Sequence, residues 1–170
     1  MNETVGVEIE RKYIIRMPDF SIIKDIPGST ESEILQIYLP SEKGETRRVR
    51  RRVYKDKVIC YETKKLRIDG MSCTEIEREI TGSEFEILAQ NIKEGTNPIH
   101  KTRYTFDYEG QIFEIDVYPQ WRFTAIMETE LESRETEVEI PSFINIKREV
   151  TGDKSYSNAA MAREFPKEDL

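Results

Sequence analysis

The chain has 170 residues, of which 37% are hydrophobic and 35% charged, and it carries a net charge of −7. That length suits a single domain over 1–170. The acidic balance argues against a general affinity for nucleic acid or for an anionic membrane. With no apolar run long enough to span a bilayer and no charged-then-apolar leader, a cytoplasmic protein is expected. Cys60 and Cys73 form no C-x-x-C pair and read as free thiols in a reducing compartment.

Taken in order, the chain is dominated by runs of period two, the signature of strands. They fall near 6–15, 33–39, 46–54, 57–66, 73–80, 101–108, 111–118, 125–132 and 135–140. Short polar turns separate them, among them Ser41-Glu42-Lys43-Gly44, Lys55-Asp56-Lys57 and Asp69-Gly70, with a hairpin turn at Asp107-Tyr108-Glu109-Gly110-Gln111. A helix is predicted after Ser83. Glu86 stands three residues on, as a capping box requires; Phe85, Leu88, Ala89 and Ile92 share a face, and Gly95 ends the element. Two further helices are expected over 18–24 and 157–165. The composite is an α+β chain, mostly β: one meandering antiparallel sheet with helices attached.

The first strand, VEIERKYII, raises the main question. Val7, Ile9, Arg11, Tyr13 and Ile15 share one face, while Glu8, Glu10 and Lys12 share the other. The same design recurs along the chain. Arg48, Arg50 and Arg52 share a face, as do Glu75, Glu77 and Glu79, Lys101 and Arg103, Glu114 and Asp116, and Glu128 and Glu130. An open sheet would place those charges in solvent and cover its other face with helices, but few helices are available and two long edges would need protection. Closing about eight strands into a barrel removes the edges and turns the charges into a lumen. Buried charges must then pair, stay wet or meet a ligand. Arg and Lys clusters suit phosphoryl oxygens, and carboxylates suit a hard divalent cation such as Mg²⁺.

These blocks resemble the CYTH, or triphosphate tunnel metalloenzyme, family. The likeness runs in order through Glu8-x-Glu10-x-Lys12, Gln36-x-Tyr38-Leu39, Val49-Arg50-Arg51-Arg52 and Lys64. It continues through Glu75-x-Glu77, Lys101-Thr102-Arg103-Tyr104, Glu114-Ile115-Asp116-Val117-Tyr118 and Glu128-x-Glu130. It closes with Glu149-Val150-Thr151 and Tyr156-x-Asn158. The resemblance implies a closed antiparallel β-tunnel that holds a triphosphate with Mg²⁺ or Mn²⁺. It makes Glu8, Glu10, Asp116, Glu128 and Glu130 the metal carboxylates. Lys12, Arg50, Arg52, Lys64, Lys101 and Arg103 become the phosphate ligands. Glu75 and Glu77 become the acids that hold a second metal or orient water, and Lys12 joins them among the catalytic groups. Lys65 is the alternative to Lys64 if that strand is shifted by one residue, and Arg48 the alternative to Arg52 if the arginine strand is shifted by two.

The expected reaction is metal-dependent hydrolysis of inorganic or nucleoside triphosphate. Known members also include adenylyl cyclases, so cyclic AMP formation is the second reading, and a non-catalytic polyphosphate- or nucleotide-binding module is the third. RRVRRRVYKDK reads as a strand with an inward arginine set rather than as a nucleic-acid patch. No P-loop or dinucleotide fingerprint occurs, and a lone His100 with no nearby Cys pair offers no zinc site. Trp121 is placed in a turn, and the segment holding Asp153, Lys154, Tyr156 and Asn158 is expected to plug one tunnel mouth. The apolar outer wall is compatible with a monomer or a homodimer.

Overall fold

A computed structural model describes residues 3–168. In chain order the strands are β1 (Glu3–Arg16), β2 (Thr30–Leu39), β3 (Glu45–Tyr54), β4 (Lys57–Arg67), β5 (Ser72–Ile80), β6 (Ile99–Tyr108), β7 (Gln111–Val117), β8 (Thr124–Glu130) and β9 (Ile146–Glu149). The helices are α1 (Phe20–Lys24), α2 (Gly82–Ala89) and α3 (Asn158–Met161), with a 3₁₀ turn at Lys154–Tyr156 before the last. The sheet order is β5-β4-β3-β2-β6-β7-β8-β1-β9, and β5 also pairs with β1. All these pairings are antiparallel, so eight strands close into a barrel, as the charged alternation predicts.

The closure runs along a divided seam. One edge of β1 pairs with β5 over residues 3–9 and with β9 over residues 13–15. Between them single bonds carry the edge: Glu10 N donates to Met71 O at 3.0 Å, and Lys12 N to Thr151 Oγ1 at 3.0 Å. Two glycines let the flanking turns meet. A Cβ on Gly152, whose φ is +77°, would lie 3.1 Å from the backbone of Gly70; glycine alone adopts that φ without steric cost.

Three apolar clusters hold the barrel. Outside, Tyr13, Ile15, Tyr104, Phe106, Phe113, Ile115 and Met127 are covered by Ile23 of α1 and by Ile144. Also outside, Ile37, Leu39, Val49, Cys60 and Ile80 pack under Phe85 of α2. Across one end of the bore, Ile14, Tyr38, Ile99, Tyr118 and Ile126 meet Val150, Tyr156 and Met161. The C-terminal segment therefore plugs that mouth. Each fully buried large apolar side chain contributes about 1.5–3 kcal/mol.

Three expectations are corrected. Residues 135–140 form no strand; the extended stretch is tied to the barrel by the Gln111 side chain, whose Nε2 donates to Glu137 O and whose Oε1 accepts from Glu139 N. The ninth strand is β9 instead. The capping box sits two residues earlier, with Thr81 accepting from Glu84 N and the Glu84 side chain receiving Thr81 N. Thr81-x-x-Glu84 and Ser83-x-x-Glu86 both fit the pattern, and Arg78, 3.3 Å from the Glu84 carboxylate, favours the former. The last helix covers only Asn158–Met161 of the expected 157–165.

Candidate active site

Strand pairing turns the charged faces inward. Glu10 stands opposite Glu130 and Lys12 opposite Glu128, Arg103 opposite Asp116, Glu114 opposite Glu128, and Gln36 opposite Arg50. In ring order β8, β1 and β5 make an acidic wall and β3, β2 and β6 a basic one. A cavity of about 430 Å³ opens beside the plug, lined by Glu8, Glu10 and Lys12 of β1, Arg48 of β3, Lys65 of β4 and Cys73 of β5 among others.

The basic wall is crowded. Arg50 donates to Gln36 Oε1 from Nε at 2.9 Å and from Nη2 at 2.6 Å, and Arg52 Nε reaches Ser32 Oγ at 3.1 Å. Burial, then the charges of Arg48 and Arg103, pull Arg50 down to about 9. Burial, with Arg103 and Arg50 adding to it, pulls Lys101 down to about 7. Arg48 Nε is buried with no hydrogen-bond partner among the described residues. Arg50 and Lys101, their charge disfavoured by burial and by neighbouring cations, together with the unmatched Arg48 donor make this wall suited to an anion.

The acidic wall mirrors this. Burial, then the charge of Glu128, pushes Glu10 up to about 8. Burial, then its contact with Glu8, pushes Glu130 up to about 7. Glu8 escapes: burial would raise it, but Lys65 Nζ at 2.8 Å from its Oε2 holds it down at about 2. Glu128 is lowered against burial by Lys12, whose Nζ lies 3.4 Å away; Lys12 also donates to Tyr156 O at 3.2 Å. Carboxyl groups raised by burial first and by neighbouring carboxylates second are suited to a divalent cation. Among the described residues no group of three or more His, Cys, Asp or Glu side chains is placed to hold a metal ion.

Several expected residues fall elsewhere. Lys64 shares the outer face of β4 with Glu62, whose carboxylate pairs with Arg47 and Arg78. Lys65 takes the lumen position, bridging Glu8 and Glu75 at 2.8 and 3.4 Å. Arg48, not Arg52, lines the cavity beside the plug. Asp116 has both oxygens engaged: Lys101 Nζ lies at 2.7 Å, Arg103 Nε at 2.7 Å and Arg103 Nη2 at 2.9 Å. These cations hold it ionised, well below the usual carboxylate range, against its burial. Its two oxygens thus hold Lys101 and Arg103, both phosphate-binding candidates. Arg103 also reaches Glu114 at 2.8 Å. Glu77 accepts from Thr63 Oγ1 at 2.9 Å. Glu75 lies above its ordinary range, first through burial and then through Glu8 and Glu77. Sequence reasoning missed Thr63, Cys73 and the Tyr156 carbonyl; only the alternation of β4 and β5 pointed toward the first two. Cys60 and Cys73 are both free thiols.

A closed antiparallel barrel with its ionic faces turned inward is the architecture of a tunnel enzyme. The chain is 33% identical over 163 residues to an inorganic triphosphatase of Acetivibrio thermocellus, an alignment spanning 94% of this chain and 95% of that one. Its fold matches the crystal structure of the inorganic triphosphatase NE1496 with a TM-score of 0.60 and 28% identity, over 94% of this chain and 97% of that one. The PH1819 protein from Pyrococcus horikoshii OT3 shares the fold, with a TM-score of 0.57 and 24% identity over 75% and 80% of the two chains. No family model matches the sequence. The chain belongs to the CYTH family of triphosphate tunnel metalloenzymes.

Proposed function

We propose that this protein is a divalent-metal-dependent hydrolase of triphosphates, with inorganic triphosphate as the first substrate to test and nucleoside triphosphates as the second. The observation that carries the reading is the pair of self-repelling clusters facing one lumen, cations on β3 and β6 and carboxyls on β1 and β8. A polyphosphate and a divalent cation relieve both at once. The curated relative's name supports the choice of substrate.

Phosphoryl transfer asks mainly for positioning and charge stabilisation. Arg48, Arg50, Lys101 and Arg103 donate to phosphate oxygens, and Asp116 aims Lys101 and Arg103 and opposes the burial that disfavours their charge. Glu8, Glu10 and Glu130, with Glu128 beside them, would hold Mg²⁺ or Mn²⁺, and such an ion would supply polarisation of the phosphate oxygens. Lys12, anchored between Glu128 and the Tyr156 carbonyl, neutralises charge at the boundary of the two walls. Glu75 and Glu77, beyond Lys65, orient the attacking water; the raised pKa of Glu75 makes it the better base. Among the described residues no helix is long and apolar enough to cross a membrane, and a cytoplasmic location agrees with the two free thiols.

The test is phosphate release from inorganic triphosphate and from ATP with Mg²⁺ or Mn²⁺, with and without EDTA. Turnover abolished by the chelator is expected, with ADP and phosphate from ATP. Cyclic AMP and diphosphate as the products, or no turnover with any divalent metal, overturn the reading.

A further inference from the structure

The plug brings one polar side chain to the phosphate-binding wall. Asn158, the first residue of α3, lies 57 positions from Lys101 in sequence, yet its Oδ1 is 3.5 Å from Lys101 Nζ. That oxygen is fixed from behind. Tyr118 OH donates to it at 2.7 Å, and the Tyr118 ring is itself wedged between Trp121 and Phe165, at centroid distances of 5.5 and 5.4 Å. The Lys101 side chain is fully buried, 2.7 Å from Asp116 Oδ2 and 5.9 Å from the centroid of the Tyr118 ring. Three groups thus surround one ammonium: a carboxylate shared with Arg103, an aromatic face and a neutral amide oxygen.

We propose that Asn158 is a positioning residue. Its amide oxygen, held by Tyr118, takes one N–H of Lys101 while Asp116 takes another, so that the third is aimed into the lumen at a phosphate oxygen. The proposal rests on the triphosphate reading and deepens it by making the C-terminal plug part of the anion site. An ammonium has three donors on a freely rotating head, and one carboxylate partner leaves that head free to turn. A second carboxylate would fix it but would cancel charge that the phosphate needs. A neutral acceptor fixes it and leaves the charge. Tyr118 prevents the amide from presenting its NH₂ end instead, because a hydroxyl that donates its hydrogen selects the oxygen. The Tyr156 carbonyl on Lys12 repeats the device on the other lysine that the plug touches.

The experiment is isothermal titration of inorganic triphosphate into the full-length protein in EDTA, where binding is read without turnover. The proteins are wild type, Asn158→Ala, Tyr118→Phe, Lys101→Met and the double variant Lys101→Met/Asn158→Ala. Loss of a hydrogen bond to a charged group predicts about tenfold weaker binding for Asn158→Ala. A smaller loss in the same direction is expected for Tyr118→Phe, which deletes one oxygen and spares the packing. In the Lys101→Met background Asn158→Ala should add less than twofold, roughly the error of additivity for unconnected sites. A purely structural role would weaken binding equally in both backgrounds, and that result overturns the proposal, as does unchanged affinity in Asn158→Ala. If Lys101→Met itself binds like wild type, the anion site is misplaced and the functional reading fails first.

Discussion

Lys65 reaches from β4 across β5 to β1 and sets its ammonium 2.8 Å from Glu8 and 3.4 Å from Glu75. The seam of the barrel is therefore bridged inside the lumen by a lysine between two carboxylates. One of those acids belongs to the proposed metal set and the other to the proposed water-orienting pair, so a single ammonium acts on both, holding Glu8 down and partly offsetting the burial that raises Glu75. Glu8 stays ionised because of it, while Glu10 and Glu130, each with less cationic help, hold their protons.

The first prediction separates neighbours. Lys65→Met should lower kcat/KM for triphosphate by roughly 10²-fold, the scale of removing one aimed charge from a closed site. Lys64→Met, on the outer face with Glu62, should change it by less than about twofold, as outer-surface substitutions do. Steady-state phosphate release measures both, and equal effects would mean that the strand's phase is wrong.

The second concerns pH. The folded-state pKa values of Glu10 and Glu130, about 8 and about 7, lie above the ordinary glutamate value of 4.5. Between those limits the folded chain binds more protons than the unfolded one, so metal-free stability should fall as pH rises from about 4.5 to about 8. Glu8 works the other way: its value of about 2 gives stability that is lost as pH falls below 4.5. Thermal melts in EDTA should thus be highest near pH 5 and decline toward pH 8. Mg²⁺ or Mn²⁺ should restore most of the loss at pH 8, because the cation displaces the same protons.

The third concerns Asp116. Asp116→Asn keeps the shape but leaves Lys101 and Arg103 facing each other without a counter-charge. Breaking a buried pair in this way costs about 3–5 kcal/mol. Denaturant titration should show that loss, and added triphosphate should raise the variant's midpoint more than it raises wild type, since the anion replaces the missing charge.

The fourth tests the joint between plug and seam. Gly152→Ala forces an L side chain into positive φ, at about 1–2 kcal/mol, and drives a Cβ to 3.1 Å from Gly70. Gly110→Ala bears a similar φ of +78° but has open space around it. Both should lower the melting temperature. Only Gly152→Ala should also weaken triphosphate binding, by displacing Tyr156 and Asn158 from the two lysines.

Much of this site is legible in the linear chain. Where one face of a strand is apolar, period two fixes which charges turn inward; Val7, Ile9, Tyr13 and Ile15 settle Glu8, Glu10 and Lys12, and Val49 and Val53 settle Arg48, Arg50 and Arg52. The same logic fails on β4. There Cys60, Glu62, Lys64 and Leu66 alternate with Tyr61, Thr63, Lys65 and Arg67, and neither set is the more apolar. The outer face is charged because Glu62 finds Arg47 and Arg78 on neighbouring strands, a pairing no local pattern reveals.

Sequence by itself named the ionic stripes, because alternation is a property of each strand alone, and its shortage of helices favoured a closed sheet over an open one. Tertiary structure decided which cations remain unsatisfied and which are already spent. Asp116 belongs to Lys101 and Arg103, Lys65 rather than Lys64 faces Glu8, and Asn158 arrives from the far end of the chain to meet Lys101. Electrostatic partnership depends on distance through space, and closing the barrel makes neighbours of residues that sequence keeps far apart.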